Sequence, residues 1–313
     1  MTSIVAVVGP TAAGKSAVGL ELAQELGGEV VNADAMQLYA GMDIGTAKVS
    51  TVERGLVPHH LLDVWPVTFR ASVADYQRRA VAAVADISGR GRVAVVVGGS
   101  GLYLRALLDD LRIPPTDPDV RSRLEQELAQ VGPAVLHERL KASDPAAGAA
   151  ILASNGRRIV RALEVVELTG SFSATLPDGR YRRPDTLQLG LDAADLDERI
   201  AARVERMFAD GFVEEVEALL DVGLGGSPTA SKALGYAQIL AMREATAQAR
   251  PRLDLAAAQE ATVLATRRFA RRQRSWFRRD PRIDWHTSPE QVVRAAVHAL
   301  RAVEEPGGSG RLR

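Results

Sequence analysis

A chain of 313 residues with 46% apolar and 25% charged side chains can fill one large or two modest hydrophobic cores. The absence of cysteine excludes a disulfide framework, a thiolate zinc site and a catalytic thiol, so any metal must bind oxygen or imidazole. Lys and Arg total 39 against 39 Asp and Glu, which excludes a uniformly basic surface; the exception is Arg267 to Arg282, with eight arginines and one acid, Asp280.

The first apolar run, Ile4 to Val8, ends at Gly9-Pro10 and is too short for a secretory segment or a membrane span, so a cytoplasmic enzyme is expected. It reads as a buried strand. A helix follows from about Lys15, with Val18, Leu22 and Leu26 on one side and Gly27-Gly28 as its stop. Val30 to Ala33 and Val93 to Val97 are two further strands, and Ser72 to Asp75 resembles a capping box opening a helix that closes near Gly89. This alternation predicts an α/β fold with a parallel sheet. Between Pro114 and Pro184 the texture changes to short helices, Pro118 to Val131, Pro133 to Lys141 and Arg157 to Leu168, as expected of an inserted helical subdomain. Thr186 to Leu191 returns to the sheet, so residues 1–113 and 185–313 should form one core around the insertion 114–184. The remainder is mostly helical, with a polar tail from Glu304 to Arg313.

Gly9-Pro10-Thr11-Ala12-Ala13-Gly14-Lys15-Ser16 matches a phosphate loop and lies between a strand and a helix, the context that gives such a match weight. Glycines let backbone N–H groups converge on phosphate oxygens at a positive helix end. Lys15 adds a charge and Ser16 offers a hydroxyl to Mg²⁺. The loop alone leaves open a nucleoside triphosphate or another diphosphate ester. Val93 to Val97 runs into Gly98-Gly99-Ser100-Gly101 without the metal-holding Asp usual in nucleotidases of this fold, and no Asn-Lys-x-Asp motif is present, which weighs against kinase and GTPase readings.

Asp34 follows the second strand, at the edge of the sheet where ligands of open α/β folds bind. By position it could be a base, a metal ligand or a loop cap. Here a resemblance becomes specific. The phosphate loop, Asp34-Ala35-Met36-Gln37-Leu38-Tyr39, Gly41 to Lys48, His59-His60-Leu61-Leu62-Asp63 and Val97 to Tyr103 together resemble the bacterial tRNA dimethylallyltransferases. Asn155 to Arg158, Arg161 to Glu164, Arg272-Gln273 and Trp276 to Arg278 extend the likeness to nearly the whole chain.

The resemblance implies a P-loop core with a helical insertion, dimethylallyl diphosphate as donor, and the N6 amine of the adenosine beside the tRNA anticodon as acceptor. It further implies that Thr11 to Ser16 hold the diphosphate, that Arg203 clamps it, and that Asp34 takes the amine proton while Asp34, Ala35, Met36 and Gln37 contact the extruded base. Ser100, Arg121 or Arg123, and the segment Arg157, Arg158, Ile159, Val160 and Arg161 would touch the RNA. The chain departs from the pattern with Ala35 for Ser, Ser100 for Thr, and Arg274-Ser275 for Leu-Thr; Ala35 removes a polar group near the adenine.

At helical spacing Arg267, Arg271, Arg274 and Arg278 form one stripe, and Phe269, Ala270, Gln273, Trp276 and Phe277 the other side, which suggests a docked apolar face and a basic face, led by Arg271 and Arg274, towards phosphate. A solvated charged face is the plainer alternative. His59 and His60 are expected to be structural, and Met207 and Phe208 core. The rival readings are a small-molecule P-loop kinase, a transferase acting on free adenine nucleotides, and a non-catalytic RNA-binding switch. A monomer with Mg²⁺ as cofactor completes the expectation.

Overall fold

The computed structural model describes residues 4–173, 176–247 and 254–304. Of the expected polar tail, residues 305–313 lie outside the described residues. In chain order the elements are β1 (Ile4–Val8), α1 (Lys15–Glu25), β2 (Glu29–Asn32), α2 (Thr51–Leu56), β3 (His59–His60), α3 (Val73–Gly89), β4 (Ala94–Gly98) and α4 (Gly101–Leu108). Then come α5 (Pro118–Ser143), α6 (Pro145–Ala150), α7 (Gly156–Thr169), β5 (Thr186–Leu191), α8 (Leu196–Ala209), α9 (Phe212–Asp221), α10 (Tyr236–Ala247), α11 (Leu255–Phe277), β6 (Asp284–His286) and α12 (Pro289–Glu304).

The strands form one six-stranded sheet, ordered β3-β2-β4-β1-β5-β6 and parallel throughout. Apolar β1 fits the centre of such a sheet because both its faces are covered. Ile4, Ala6 and Val8 join Tyr39, Tyr76 and Phe212 in one core, whereas Val5 and Val7 join Val18, Leu22 and Leu189 in the other. The period of two thus sorts one strand between two cores. Two strands escape a sequence reading because they are too short to alternate: β3, and β6, whose Trp285 fills the space that Gly190 leaves.

Local chemistry explains the helix ends. Ser72 Oγ accepts from Asp75 N at 3.1 Å to start α3, and Ser50 with Glu53 forms a reciprocal capping box on α2. Gly27, at φ 57°, takes the left-handed conformation just beyond α1.

The chain divides into two compact units, one running to Asp110 and resuming at Arg180, the other comprising Leu111–Gly179. In the second, α5 breaks at Gly132 (φ 79°, ψ 168°) before Pro133, as two helices would, and its core gathers Leu124, Leu136, Leu140, Ile159 and Leu163. Buried Glu164 ties this unit together. It accepts from Thr116 Oγ1 at 2.6 Å, from Asp117 N at 3.0 Å, from Arg161 Nη1 at 2.6 Å and from Arg121.

Candidate active site

The phosphate loop leaves β1 at Gly9, whose φ of 142° and lack of a side chain are both required, because a Cβ there would lie 2.2 Å from the Leu191 carbonyl of β5. Ala12 (φ 65°) and Gly14 (φ 98°) bend the loop before Lys15 and Ser16 open α1. Helix N-termini carry unsatisfied N–H groups and partial positive charge, so this end suits an anion. Lys15 Nζ donates to Pro10 O at 2.6 Å. Burial lowers the Lys15 pKa to about 8, with Asp34 pulling it back up and Arg203 pushing it further down.

A cleft over the carboxyl ends of the strands is lined by Thr11, Lys15, Ser16, Asn32, Asp34, Gln37, His59, Arg203 and Gln273, with Val30, Val49, Leu62 and Val97 as apolar wall. Asp34 is held there by its neighbours. Its N–H donates to Asn32 Oδ1 at 2.9 Å, Asn32 Nδ2 donates back to Asp34 O at 3.0 Å, and Asp34 Oδ1 accepts from Met36 N at 2.9 Å. Asp34 is therefore a loop cap through one carboxylate oxygen, while the other carries no hydrogen bond among the described residues. Ala35 N donates to Ser100 Oγ at 3.1 Å, which gives the Ser100 hydroxyl a local partner.

Arg203, on α8, reaches the same cleft. It donates to Thr11 Oγ1 at 3.2 Å and to the Thr46 carbonyl at 3.1 Å, and burial lowers its pKa from the ordinary guanidinium value despite the nearby Asp34. The Thr46 turn is itself fixed, for Glu215 of α9 accepts from the backbone N–H groups of Asp43, Ile44 and Gly45 at 2.9, 2.6 and 3.2 Å. Gln37 Nε2 adds a bond to Thr46 O at 3.2 Å. Lys48, whose side chain is fully buried, bonds Tyr39 O, Asp43 and Asp63, so this motif lysine braces the loop.

Several residues of the cleft were not legible as site residues. Asn32 sits at the end of β2, inside a run that reads only as a strand. Gln273 looks like part of an apolar helix face, yet its side chain bonds the phosphate loop and Gly99. His59 Nδ1 lies 2.9 Å from Val57 O and must donate, since a carbonyl only accepts; burial lowers its pKa. His60 instead pairs with Glu29. Met207 is buried and Phe208 packs against the same core.

The other residues expected to touch RNA differ in their surroundings. Ile159 and Val160 are core residues, 0% and 2% exposed, so their side chains pack inside the helical unit. Arg121 and Arg161 are committed to Glu164, and Arg123 donates to Glu167 at 2.6 Å; Arg157 and Arg158 are exposed. The stripe on α11 is also not uniform. Arg268, Arg271, Arg272 and Arg279 are exposed, while Arg274 and Arg278 pair with Asp192 and Arg267 donates to the Asp197 carbonyl. The opposite face docks through buried Ala270, Gln273 and Phe277, with Trp276 pressed on Gly101 yet 37% exposed.

Known proteins resemble this chain in sequence and in fold. The family model described as IPP transferase matches residues 37–280. A tRNA dimethylallyltransferase of Salinispora tropica is 62% identical over 303 residues, covering 96% of this chain and 92% of that protein, and one of Parafrankia sp. is 60% identical over 298 residues, covering 95% and 91%. The crystal structure of a tRNA isopentenylpyrophosphate transferase from Bacillus halodurans matches with a TM-score of 0.68 at 34% identity, covering 97% of each chain. A eukaryotic dimethylallyltransferase acting on tRNA matches in fold, with a TM-score of 0.73 at 24% identity over 97% of this chain and 79% of that one.

Proposed function

Because the chain belongs to the IPP transferase family, we propose that it transfers the dimethylallyl group of dimethylallyl diphosphate to the N6 amine of the tRNA adenosine on the 3′ side of the anticodon. The observation that carries this reading is one cleft that joins a cationic cradle, Lys15, Arg203 and the N-terminus of α1, to a carboxylate, Asp34, beside an apolar wall. The cradle suits a departing diphosphate, the wall a prenyl chain, and the carboxylate an amine proton.

In the step, the allylic C–O bond breaks with its electron pair passing to the diphosphate, while N6 forms the new C–N bond and its proton goes to Asp34. Fixed positive charge aimed at the leaving group stabilises this step. The N6 lone pair is delocalised into the purine, so proton removal as the bond forms compensates for a weak nucleophile. A stacked base cannot reach the cleft, so the nucleotide is flipped out.

Mg²⁺ fits the residues present. Among the described residues no three His, Asp or Glu side chains cluster as a metal cage, and Mg²⁺ commonly binds through one or two protein oxygens plus substrate phosphates and water. Ser16 would supply that oxygen, and the ion would neutralise diphosphate charge.

A P-loop kinase would use the same loop but leaves Asp34 to Gln37 and the exposed arginines of α11 without a role, and the family disfavours it. Among the described residues no helix is long and apolar enough to cross a membrane. The reading takes the enzyme as a cytoplasmic monomer. Incubation with tRNA and donor labelled in the dimethylallyl group should move label into RNA, and γ-labelled ATP should not. Label transfer from ATP alone would sink the proposal.

A further inference from the structure

The carboxamide of Gln273 spans two sides of the cleft. Oε1 accepts from Thr11 N at 2.9 Å, and Nε2 donates to Gly99 O at 2.8 Å. The bridge links residue 11 of the phosphate loop, after β1, to residue 99, after the neighbouring strand β4, from a helix more than 170 residues further along the chain. The fit is close: a Cβ on Gly99 would stand 2.3 Å from Nε2. Gln273 is 6% exposed.

We infer that Gln273 is a positioning residue for the donor diphosphate, one that sets Thr11 and, through Thr11 Oγ1, the Arg203 guanidinium. This rests on the transfer reading above. The requirement at this point is chemically narrow. Thr11 N–H needs an acceptor and Gly99 carbonyl needs a donor, and a neutral carboxamide of this length supplies both without bringing negative charge to a site that must accept a diphosphate. Glu would satisfy Thr11 but set a second acceptor against Gly99 O. Met would fill the volume and satisfy neither.

The arrangement also explains the glycines after β4. Gly99 admits the carboxamide, and Gly101 admits the Trp276 indole three residues further along α11, where a Cβ would be 2.1 Å from Nε1. The helix whose outer face carries Arg271 and Arg272 therefore reaches the phosphate loop through its inner face.

The test uses Gln273→Met and Gln273→Glu in the full chain. Dimethylallyl diphosphate affinity without tRNA, tRNA affinity without donor, and melting temperature would be measured for each. Donor affinity is expected to fall at least tenfold in the Met variant and further in the Glu variant, with tRNA affinity within threefold of wild type in both. Donor affinity within twofold of wild type in a folded variant overturns the inference. So does an equal loss for donor and tRNA, or failure of both variants to fold, because Gln273 would then serve the framework and not the donor. If wild type itself does not bind the donor, the transfer reading fails and not merely the role of Gln273.

Discussion

Arg274 is anchored to Asp192, donating from Nε to Oδ1 at 2.8 Å, with Nη2 reaching the Ala193 carbonyl at 3.0 Å. Arg278 pairs with the other oxygen of the same carboxylate at 3.1 Å. Asp192 follows β5 directly, so this pair pins α11 to the edge of the sheet beside the phosphate loop. Adjacent arginines on one helix thus have separate duties, structural for Arg274 and solvent-facing for Arg271.

Arg271→Ala should flatten the dependence of log K on log salt for tRNA by roughly 0.7–0.9 with no change in melting temperature. Arg274→Ala should lower the melting temperature, at a cost of about 1–3 kcal/mol for the disrupted charged pair, while moving the salt slope by less than half as much. Equal slope changes in the two variants would show that the Asp192 pair opens when RNA binds.

Lys15 should give donor binding a pH dependence of definite sign. Its pKa in the free protein is lowered from 10.5 to about 8, so the ammonium is lost as pH rises past that value. A bound diphosphate favours the charged form and raises the pKa again. Binding should therefore take up protons between about pH 8 and 10, with affinity falling by up to roughly tenfold per pH unit there. Calorimetry at pH 9 in two buffers of different ionisation enthalpy measures the uptake. Lys15→Met should bind more weakly and abolish it, and an unchanged uptake in that variant would locate the titrating group elsewhere.

Glu164 should stabilise the helical unit in a manner that acid removes. Burial alone would raise its pKa, but hydrogen bonds from Arg121, Thr116, Arg161 and the Asp117 N–H outweigh it and hold the carboxyl near 2. Since the folded value lies below the unfolded one, the stabilisation is complete above about pH 5 and disappears as pH falls towards 2. Its size is on the order of 3 kcal/mol for a shift of this extent. Glu164→Gln should melt well below wild type at pH 7, with the gap closing near pH 2.5. A gap independent of pH would mean that packing, not charge, sets the cost.

The sheet and the phosphate loop were legible because β1 and β4 are continuous apolar runs and the loop has fixed spacing. Asp34 was legible as a carboxylate at a sheet edge, but its double use as Met36 cap and free oxygen was not, since that depends on the Asn32 turn. The basic helix was readable as an amphipathic pattern only. Which arginines are already paired is decided by Asp192 and Asp197, 70 to 86 residues away in sequence, and periodicity carries no trace of such contacts. Gln273 was hidden for a related reason: a polar residue on an apolar face looks like an imperfection until its two partners are seen.

The sharpest expectation concerns Asp34, where cap and base can be separated. Asn at this position retains a carbonyl oxygen able to accept from Met36 N, so the turn and the contacts of residues 35–37 should survive. What it lacks is a group able to take the N6 proton, because an amide oxygen is too weak a base at neutral pH. General-base loss costs about 10²–10⁴ in rate, or roughly 3–5 kcal/mol of transition-state stabilisation. Asp34→Asn should therefore keep tRNA affinity within about tenfold, a loss below roughly 1.4 kcal/mol, while single-turnover prenyl transfer collapses. Asp34→Ala removes cap and base together and should lose both affinity and rate. If Asp34→Asn transfers at nearly the wild-type rate, the proton leaves by another route; if its affinity falls as far as that of the Ala variant, Asp34 acts by binding the base.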